Sequence, residues 1–250
     1  MIKFLMLMSL VCRLYYSLRQ KVTFYAALLY FKLNFIAMPL SIQSVRKDYQ
    51  KRELLRMDLP SSPDQLLQSW LDEASSIDPE DYNAMCLSTI GADGAPQGRI
   101  VLLRSMDKTG IRFFTNYESD KGKGLAIHPQ VCLTFYWKEM ERQVRISGVA
   151  ERISTADSDA YFASRPRPSQ IGSWASDQSR PVSDESLESR MKAAEERFLN
   201  LERIPRPPHW GGYHVNWQSL EFWQGRPSRL HHRWKYEKNP SGWSLTQLDP

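Results

Sequence analysis

Hydrophobic positions along the chain change their period several times, and each change predicts an element. Ser62-Pro63-Asp64-Gln65 reads as a helix start, with Ser as N-cap and Pro in the first turn. Leu66, Leu67, Trp70, Leu71 and Ala74 then form one apolar stripe. The period next falls to two. Strands are predicted at 84–90, 99–106 and 111–117, with turns at Gly91–Gly94 and Asp107–Gly110. A short helix is expected at about 119–127. A hairpin follows, its strands at 131–137 and 142–154 joined around Lys138–Glu141. Residues 155–164 read as helix up to Arg165-Pro166. The clearest helix is 184–202, where Leu187, Met191, Ala194, Phe198 and Leu201 recur at alternating spacings of four and three. After the proline-rich linker Ile204–Pro208 come strands at 211–217, 220–225, 229–237 and 242–248. Short strands at regular spacing, with no alternation of strand and helix, predict a mainly β (α+β) fold. The expected architecture is an antiparallel barrel with peripheral helices, not a parallel dinucleotide-binding sheet.

Charge removes one class of function. Of 33 Lys and Arg, five stand in residues 1–38, where there is no acid, and the remaining 28 match the 28 Asp and Glu. The body at 39–250 is formally neutral and carries no global footprint for nucleic acid. Residues 1–38 are apolar and aromatic, but basic residues interrupt them before any run reaches the roughly 18–20 residues of a membrane span. Two expectations stay open for them: an extension upstream of a natural start at Met38, which is preferred, or a targeting-like segment. The three cysteines lack metal or disulfide spacing, so no metal site, no membrane segment and a reducing, cytoplasmic compartment are expected. Lys121-Gly122-Lys123-Gly124 is too short for a phosphate-binding P-loop.

Three segments hold candidate chemistry. Arg99 and Arg104 flank an apolar strand centre, where guanidiniums can grip phosphate in a fork or simply face solvent. Tyr161, Arg165, Arg167, Ser169 and Gln178 surround two prolines, a set suited to phosphate or to a basic surface loop. On a strand, Arg229, His231 and Arg233 would share one face and Leu230, His232 and Trp234 the other. Like charges on one face call for an anion there, and His231 could move a proton. Five of the eight Trp lie at or beyond 210, with core packing as the default. Trp223 could instead abut a flat ring.

These motifs together resemble the pyridoxamine/pyridoxine 5′-phosphate oxidase family. The matching runs are RKDY at 46–49, RIVLLR at 99–104, FFTN at 113–116, ERQVRISG at 141–148, SRPRPSQIGSW at 164–174, QS at 178–179 and EFWQG with RLHHR across 221–233. The resemblance spans about 44–250. It implies an FMN-binding split β-barrel, a homodimer with FMN at the interface, and oxidation of pyridoxine 5′-phosphate or pyridoxamine 5′-phosphate to pyridoxal 5′-phosphate, with dioxygen reduced to hydrogen peroxide. It assigns FMN contacts to Arg99, Ile100, Val101, Leu102, Leu103, Arg104, Phe114, Thr115, Lys121, Gln143, Gln178, Ser179, Trp223 and Arg233. Substrate contacts fall to Arg104, Tyr161, Arg165, Ser169, Arg229, Leu230 and His231. Arg46, Lys47, Asp48 and Tyr49 would form a mobile segment over the substrate. Arg229 and His231 would serve the reacting end of the ring, His231 accepting or relaying a proton.

Two positions depart from the family pattern. Arg104 stands where Lys is usual, and Asp120 precedes Lys121 where Arg is frequent. The rival expectations are another FMN split-barrel protein, such as a flavin reductase or haem-handling relative, and a non-enzymatic pyridoxal phosphate carrier. The RLHHR and SRPRPS runs disfavour the first of these.

Overall fold

The computed structural model describes residues 47–182 and 186–250, so the expectations for residues 1–38 and for Arg46 lie outside the described residues. Among the described residues, nine strands form one antiparallel sheet: β1 Ala84–Ile90, β2 Pro96–Leu102, β3 Ser105–Met106, β4 Gly110–Asn116, β5 Gln130–Trp137, β6 Arg142–Arg152, β7 Trp210–Gln224, β8 His232–Asn239 and β9 Gly242–Leu248. Five α-helices of the described residues accompany them: α1 Pro63–Ile77, α2 Asp120–Ile127, α3 Thr155–Ser164, α4 Arg167–Ala175 and α5 Leu187–Phe198.

The strand order β2-β1-β5-β6-β7-β4-β3 explains the curl. Its two ends, β2 and β3, are consecutive in sequence and separated only by Leu103-Arg104. Leu103 N–H donates to Asn83 O beside β1, and Arg104 N–H donates to Arg112 O on β4, both at 2.9 Å. Successive residues thus bond to opposite edges, which requires the sheet to roll until its edges meet. The single strand expected at 99–106 is therefore two strands, broken where the chain changes partner.

Strand β7 is shared. Trp210–Asn216 pair with β4 inside the barrel, while Ser219–Gln224 pair with β8, which carries β9 outward. The sequence suggested two strands here. The chain instead continues through a bulge, because the register against β6 passes from Trp217↔Gly148 to Ser219↔Ser147 and leaves Gln218 unmatched. Tyr213, Val215 and Trp217 point into the core before the bulge, and Leu220, Phe222 and Gln224 after it.

The main core joins the inward residues of the barrel to the α1 stripe, with Trp70 set edge-on to Phe222 at 5.2 Å. Ser62 is the N-cap of α1, but its hydroxyl donates to Asp64 and makes no cap bond to the backbone. A second core of Phe162, Ile171, Ala175, Ala194, Phe198, Ile204 and Trp210 ties α3, α4 and α5 to the start of β7. Helix α4 falls inside the Tyr161–Gln178 segment, for which the sequence predicts no helix beyond Arg165-Pro166. Helix α5 is shorter than expected: Ala194 and Phe198 are buried, but Leu187 and Leu201 are exposed, because only the middle of the stripe meets α4. Among the described residues no helix is long and apolar enough to cross a membrane.

Candidate functional site

Between the end of β4 and α4 lies a cleft of about 390 Å³, lined by Phe114, Thr115, Asn116, Arg165, Ser169, Gly172, Ser173, Ser176, Gln178 and Trp210. Its wall is aromatic: Phe114 stacks on Tyr161 at 3.8 Å and on Trp210 at 5.5 Å between ring centroids. Arg165 lays its guanidinium 4.6 Å over the Trp210 ring and donates to Ser173 Oγ at 2.7 Å. This guanidinium is held in one orientation by a ring beneath and a hydroxyl beside it.

Two pairs of cations border this region. Burial, then the nearby Arg99 guanidinium, push the Lys121 ammonium down to about 8, while Asp120 pulls the other way. Burial likewise lowers Arg165, opposed by Tyr161 and reinforced by Arg104. Cations kept near cations in a half-buried place have the electrostatics of an anion site. Arg99 reaches Thr89 Oγ1 at 2.6 Å and Gln97 Oε1 at 2.9 Å, and Lys121 Nζ reaches Ser119 Oγ at 3.1 Å and Gln178 Oε1 at 3.0 Å. The expected KGKG run is a close-packing device. A Cβ on Gly122 would lie 2.2 Å from Tyr117 O, and one on Gly124 2.5 Å from Ile90 O. The glycines let α2 press Lys121 against the barrel.

A second group stands at the other end of β7. Gln143, Trp223 and Arg233 are register neighbours across β6, β7 and β8, in one row on the outer face. Arg233 is aimed by Glu221, at 2.9 Å. The His231 ring lies 4.7 Å from Trp223 and 5.6 Å from Tyr49. Its Nδ1 accepts from the Arg226 amide at 3.1 Å. Burial, then Arg229, lower its pKa. Trp210 and Trp223 are thirteen residues apart on β7, about 40 Å along the strand at roughly 3.3 Å per residue.

Residues 74–200 match the sequence profile of pyridoxamine 5′-phosphate oxidase, and 210–250 match that of the pyridoxine 5′-phosphate oxidase C-terminal dimerisation region. A pyridoxine/pyridoxamine 5′-phosphate oxidase of Bordetella pertussis is 46% identical over 212 residues, covering 84% of this chain and 100% of that one. One from Burkholderia cenocepacia is 48% identical over 214 residues, covering 84% and 99%. The chain belongs to the pyridoxamine 5′-phosphate oxidase family. Among solved structures, PhzG from Burkholderia lata 383, in complex with tetrahydrophenazine-1-carboxylic acid, superposes with a TM-score of 0.73 at 32% identity, covering 79% of this chain and 98% of that one. A pyridoxamine 5′-phosphate oxidase-related, FMN binding protein from Nostoc punctiforme PCC 73102 shares the fold, with a TM-score of 0.60 at 18% identity over 74% and 96% of the two chains.

Family membership carries the split barrel and the cofactor FMN with it. The residues present fit that group: the Arg99 and Lys121 cations suit its phosphate, and the Gln143–Trp223–Arg233 row offers a flat wall with amide and guanidinium donors. The structure divides the expected residues into two sets. Arg99, Arg104, Phe114, Thr115, Lys121, Tyr161, Arg165, Ser169 and Gln178 cluster around α2, α4 and β4, with Ser179 beside Gln178 at φ +68°. Gln143, Trp223, Arg233, Arg229, Leu230, His231, Asp48 and Tyr49 gather at the far end of β7. Within 99–104 the side chains diverge. Ile100 is exposed, whereas Val101 packs against the main core and Leu103 lies within it, so those two offer a ligand only their backbone.

The shared strand face expected for Arg229, His231 and Arg233 is not formed. Strand β8 begins at His232. Ser228 and Arg229 have φ of +55° and +63°, so the preceding residues make a tight turn. His232 is turned away, its Nδ1 accepting from Leu54 N–H at 3.0 Å. Sequence reasoning missed Ser173, which follows Ser169 by one helical turn on α4, and Trp210, the platform under Arg165. It also missed Glu141, which opens the ERQVRISG run.

Proposed function

We propose that this chain oxidises pyridoxine 5′-phosphate and pyridoxamine 5′-phosphate to pyridoxal 5′-phosphate, as a homodimer with FMN at the subunit interface. The two cation pairs carry this reading, since cofactor and substrate each bring one phosphate. The division of the two sets between opposite ends of β7 supports the dimer: one chain offers the phosphate end of a site and the ring end of another, and a partner copy completes both. The dimerisation-region match at 210–250 covers Trp223, Arg229, Leu230, His231 and Arg233 of the ring end.

In this reading Arg99, Thr115 and Lys121 bind the cofactor phosphate. Arg104, Tyr161, Arg165 and Ser169 bind the ester phosphate, the Arg165 fork pre-set by Trp210 and Ser173. When bound, FMN supplies the two-electron acceptor that dioxygen reoxidises. Trp223 and Gln143 wall the ring system. Arg229 orients the reacting carbon's substituent and favours negative charge developing there. Because Nδ1 of His231 accepts from the Arg226 amide, the neutral ring keeps its proton on Nε2 and offers a donor. Taking up the substrate proton requires Nδ1 to release that amide.

A peroxide assay on FMN-loaded protein tests the reading. Each ester should yield pyridoxal 5′-phosphate and hydrogen peroxide in equal amounts, and absence of both products with both esters would overturn it. The PhzG likeness favours one second reading, oxidation of a reduced polycyclic aromatic acid. Peroxide from such an acid but not from the esters would select it.

A further inference from the structure

Residues 48–51 form a strap across the ring end of the site. The Tyr49 ring meets Trp223 edge-on at 5.4 Å, and a Cβ on Gly225 would lie 2.7 Å from that ring. Asp48 Oδ1 accepts from the Ser228 amide at 3.4 Å, and Tyr136 shares a side-chain hydrogen bond with Tyr49. Below, Lys51 Nζ donates to Glu139 O, and the strap's backbone has a second hold. Glu141 Oε2 accepts from two consecutive backbone amides, Gln50 at 3.0 Å and Lys51 at 3.1 Å.

Glu141 is an unusual residue for that task. It is 2% exposed and sits in the left-handed region at φ +55°, a strained backbone for a side chain of its type. The strain has a return. Its carbonyl accepts from Gly225 N–H at 2.8 Å and Gln224 Nε2 at 3.2 Å, fixing the turn after Trp223, while its carboxylate rises to meet the strap. Beyond Lys51 the chain has other anchors. Arg52 pairs with Glu73 at 2.9 Å, and Leu54 is held by His232 and Trp234. The Glu141 carboxylate, by contrast, meets the strap backbone at residues 50 and 51.

We infer that Glu141 is a positioning residue, whose carboxylate holds the strap closed so that Tyr49 covers His231 and Trp223 and completes the substrate's enclosure. Its effect on substrate affinity rests on the oxidase reading above, and its effect on the strap does not.

Two readouts on the FMN-loaded full chain test it. Limited trypsin digestion reports strap opening directly, through cleavage after Lys47 and Lys51. Hydrogen bonds to a charged acceptor are worth about 1.5–3 kcal/mol, so Glu141→Gln should speed those cleavages about tenfold or more, with cleavage elsewhere in the chain and FMN affinity unchanged. Cleavage at the wild-type rate overturns the inference. Kinetics then ask whether Glu141 acts through Tyr49. Glu141→Gln should raise KM for the phosphate ester about tenfold with kcat within about twofold, and should add little in a Tyr49→Ala background. An equal KM rise in that background also overturns it. Glu141→Ala should exceed Glu141→Gln in both readouts; if that variant does not fold, the isosteric one still decides. If no variant yields peroxide, the kinetic arm falls with the oxidase reading, while the digestion still decides the clamp.

Discussion

Lys121 Nζ donates to Gln178 Oε1 at 3.0 Å, tying the first turn of α2 to the loop after α4. The bond joins the two elements that flank the phosphate end of the cleft, and its donor titrates near neutrality. The ammonium is held at about 8, against 10.5 for an ordinary lysine, first by burial and then by Arg99.

The sign of the resulting pH dependence is fixed. A cation whose pKa is lower in the folded state destabilises that state while both forms are charged. That cost fades as pH rises from about 8 to 10.5, so FMN-free protein gains stability across this window. Cofactor binding runs the other way. A phosphate beside Lys121 favours its proton, so FMN affinity falls above pH 8 by up to about tenfold per unit. Fluorescence titration at pH 7 and 9 should show that loss, and Lys121→Met should bind weakly at both pH values without it. Wild-type affinity that stays flat would remove Lys121 from the cofactor phosphate.

Arg165 should tolerate no other cation. Lysine cannot lie flat on Trp210 or present a fork. Arg165→Lys should raise KM for the phosphorylated substrates about ten- to a hundredfold, the equivalent of one charged hydrogen bond at 1.5–3 kcal/mol. FMN affinity should stay at the wild-type value. Steady-state kinetics with parallel flavin titration separate the two effects.

Arg229 acts on the substrate and on His231. Arg229→Leu should lower kcat strongly while FMN stays bound. It also removes the like charge that helps depress His231, so the imidazole pKa should rise. Protonation at Nδ1 breaks the Arg226 bond, and the acid limb of kcat/KM should therefore move to higher pH. A pH–rate profile of the variant checks this, and an unmoved limb would detach His231 from the rate.

Gly124→Ala tests the packing of α2. The added methyl would strike Ile90 O at 2.5 Å, and backbone on both sides leaves little room to yield. Overpacking of this kind costs about 1–3 kcal/mol, read as a lower urea midpoint at constant m-value. FMN binding should weaken with it, because Lys121 rides on the displaced helix.

Alternation made most of the barrel readable in advance. Strands β1 and β9 fall on the residues expected, since one face of each meets the core or its rim. The failures have physical causes. The 99–106 run reads as one strand because its residues favour strand throughout, and nothing local says that Leu103 and Arg104 bond to different edges. Helix α4 was hidden by Pro166 and Pro168, which break a helix interior but suit its first turn. The turn at Ser228-Arg229 was missed because neither residue type advertises positive φ. For the site, cationic residues could be listed from the sequence, but their division between the two ends of β7 depends on pairings far apart in the chain. Glu141 matters through burial and two amide contacts, neither of which its residue type announces.

The bulge at Gln218 has a consequence for the ring end. Sidedness on a strand follows odd and even positions, and one surplus residue exchanges them. Upstream, odd positions such as Val215 and Trp217 fill the interior; downstream, odd Trp223 faces outward beside Gln143 and Arg233. Without Gln218 the same letters would turn the Trp223 indole inward and push Phe222 and Gln224 into the open. One unpaired glutamine thus decides whether the tryptophan serves as filling or as a wall for a guest.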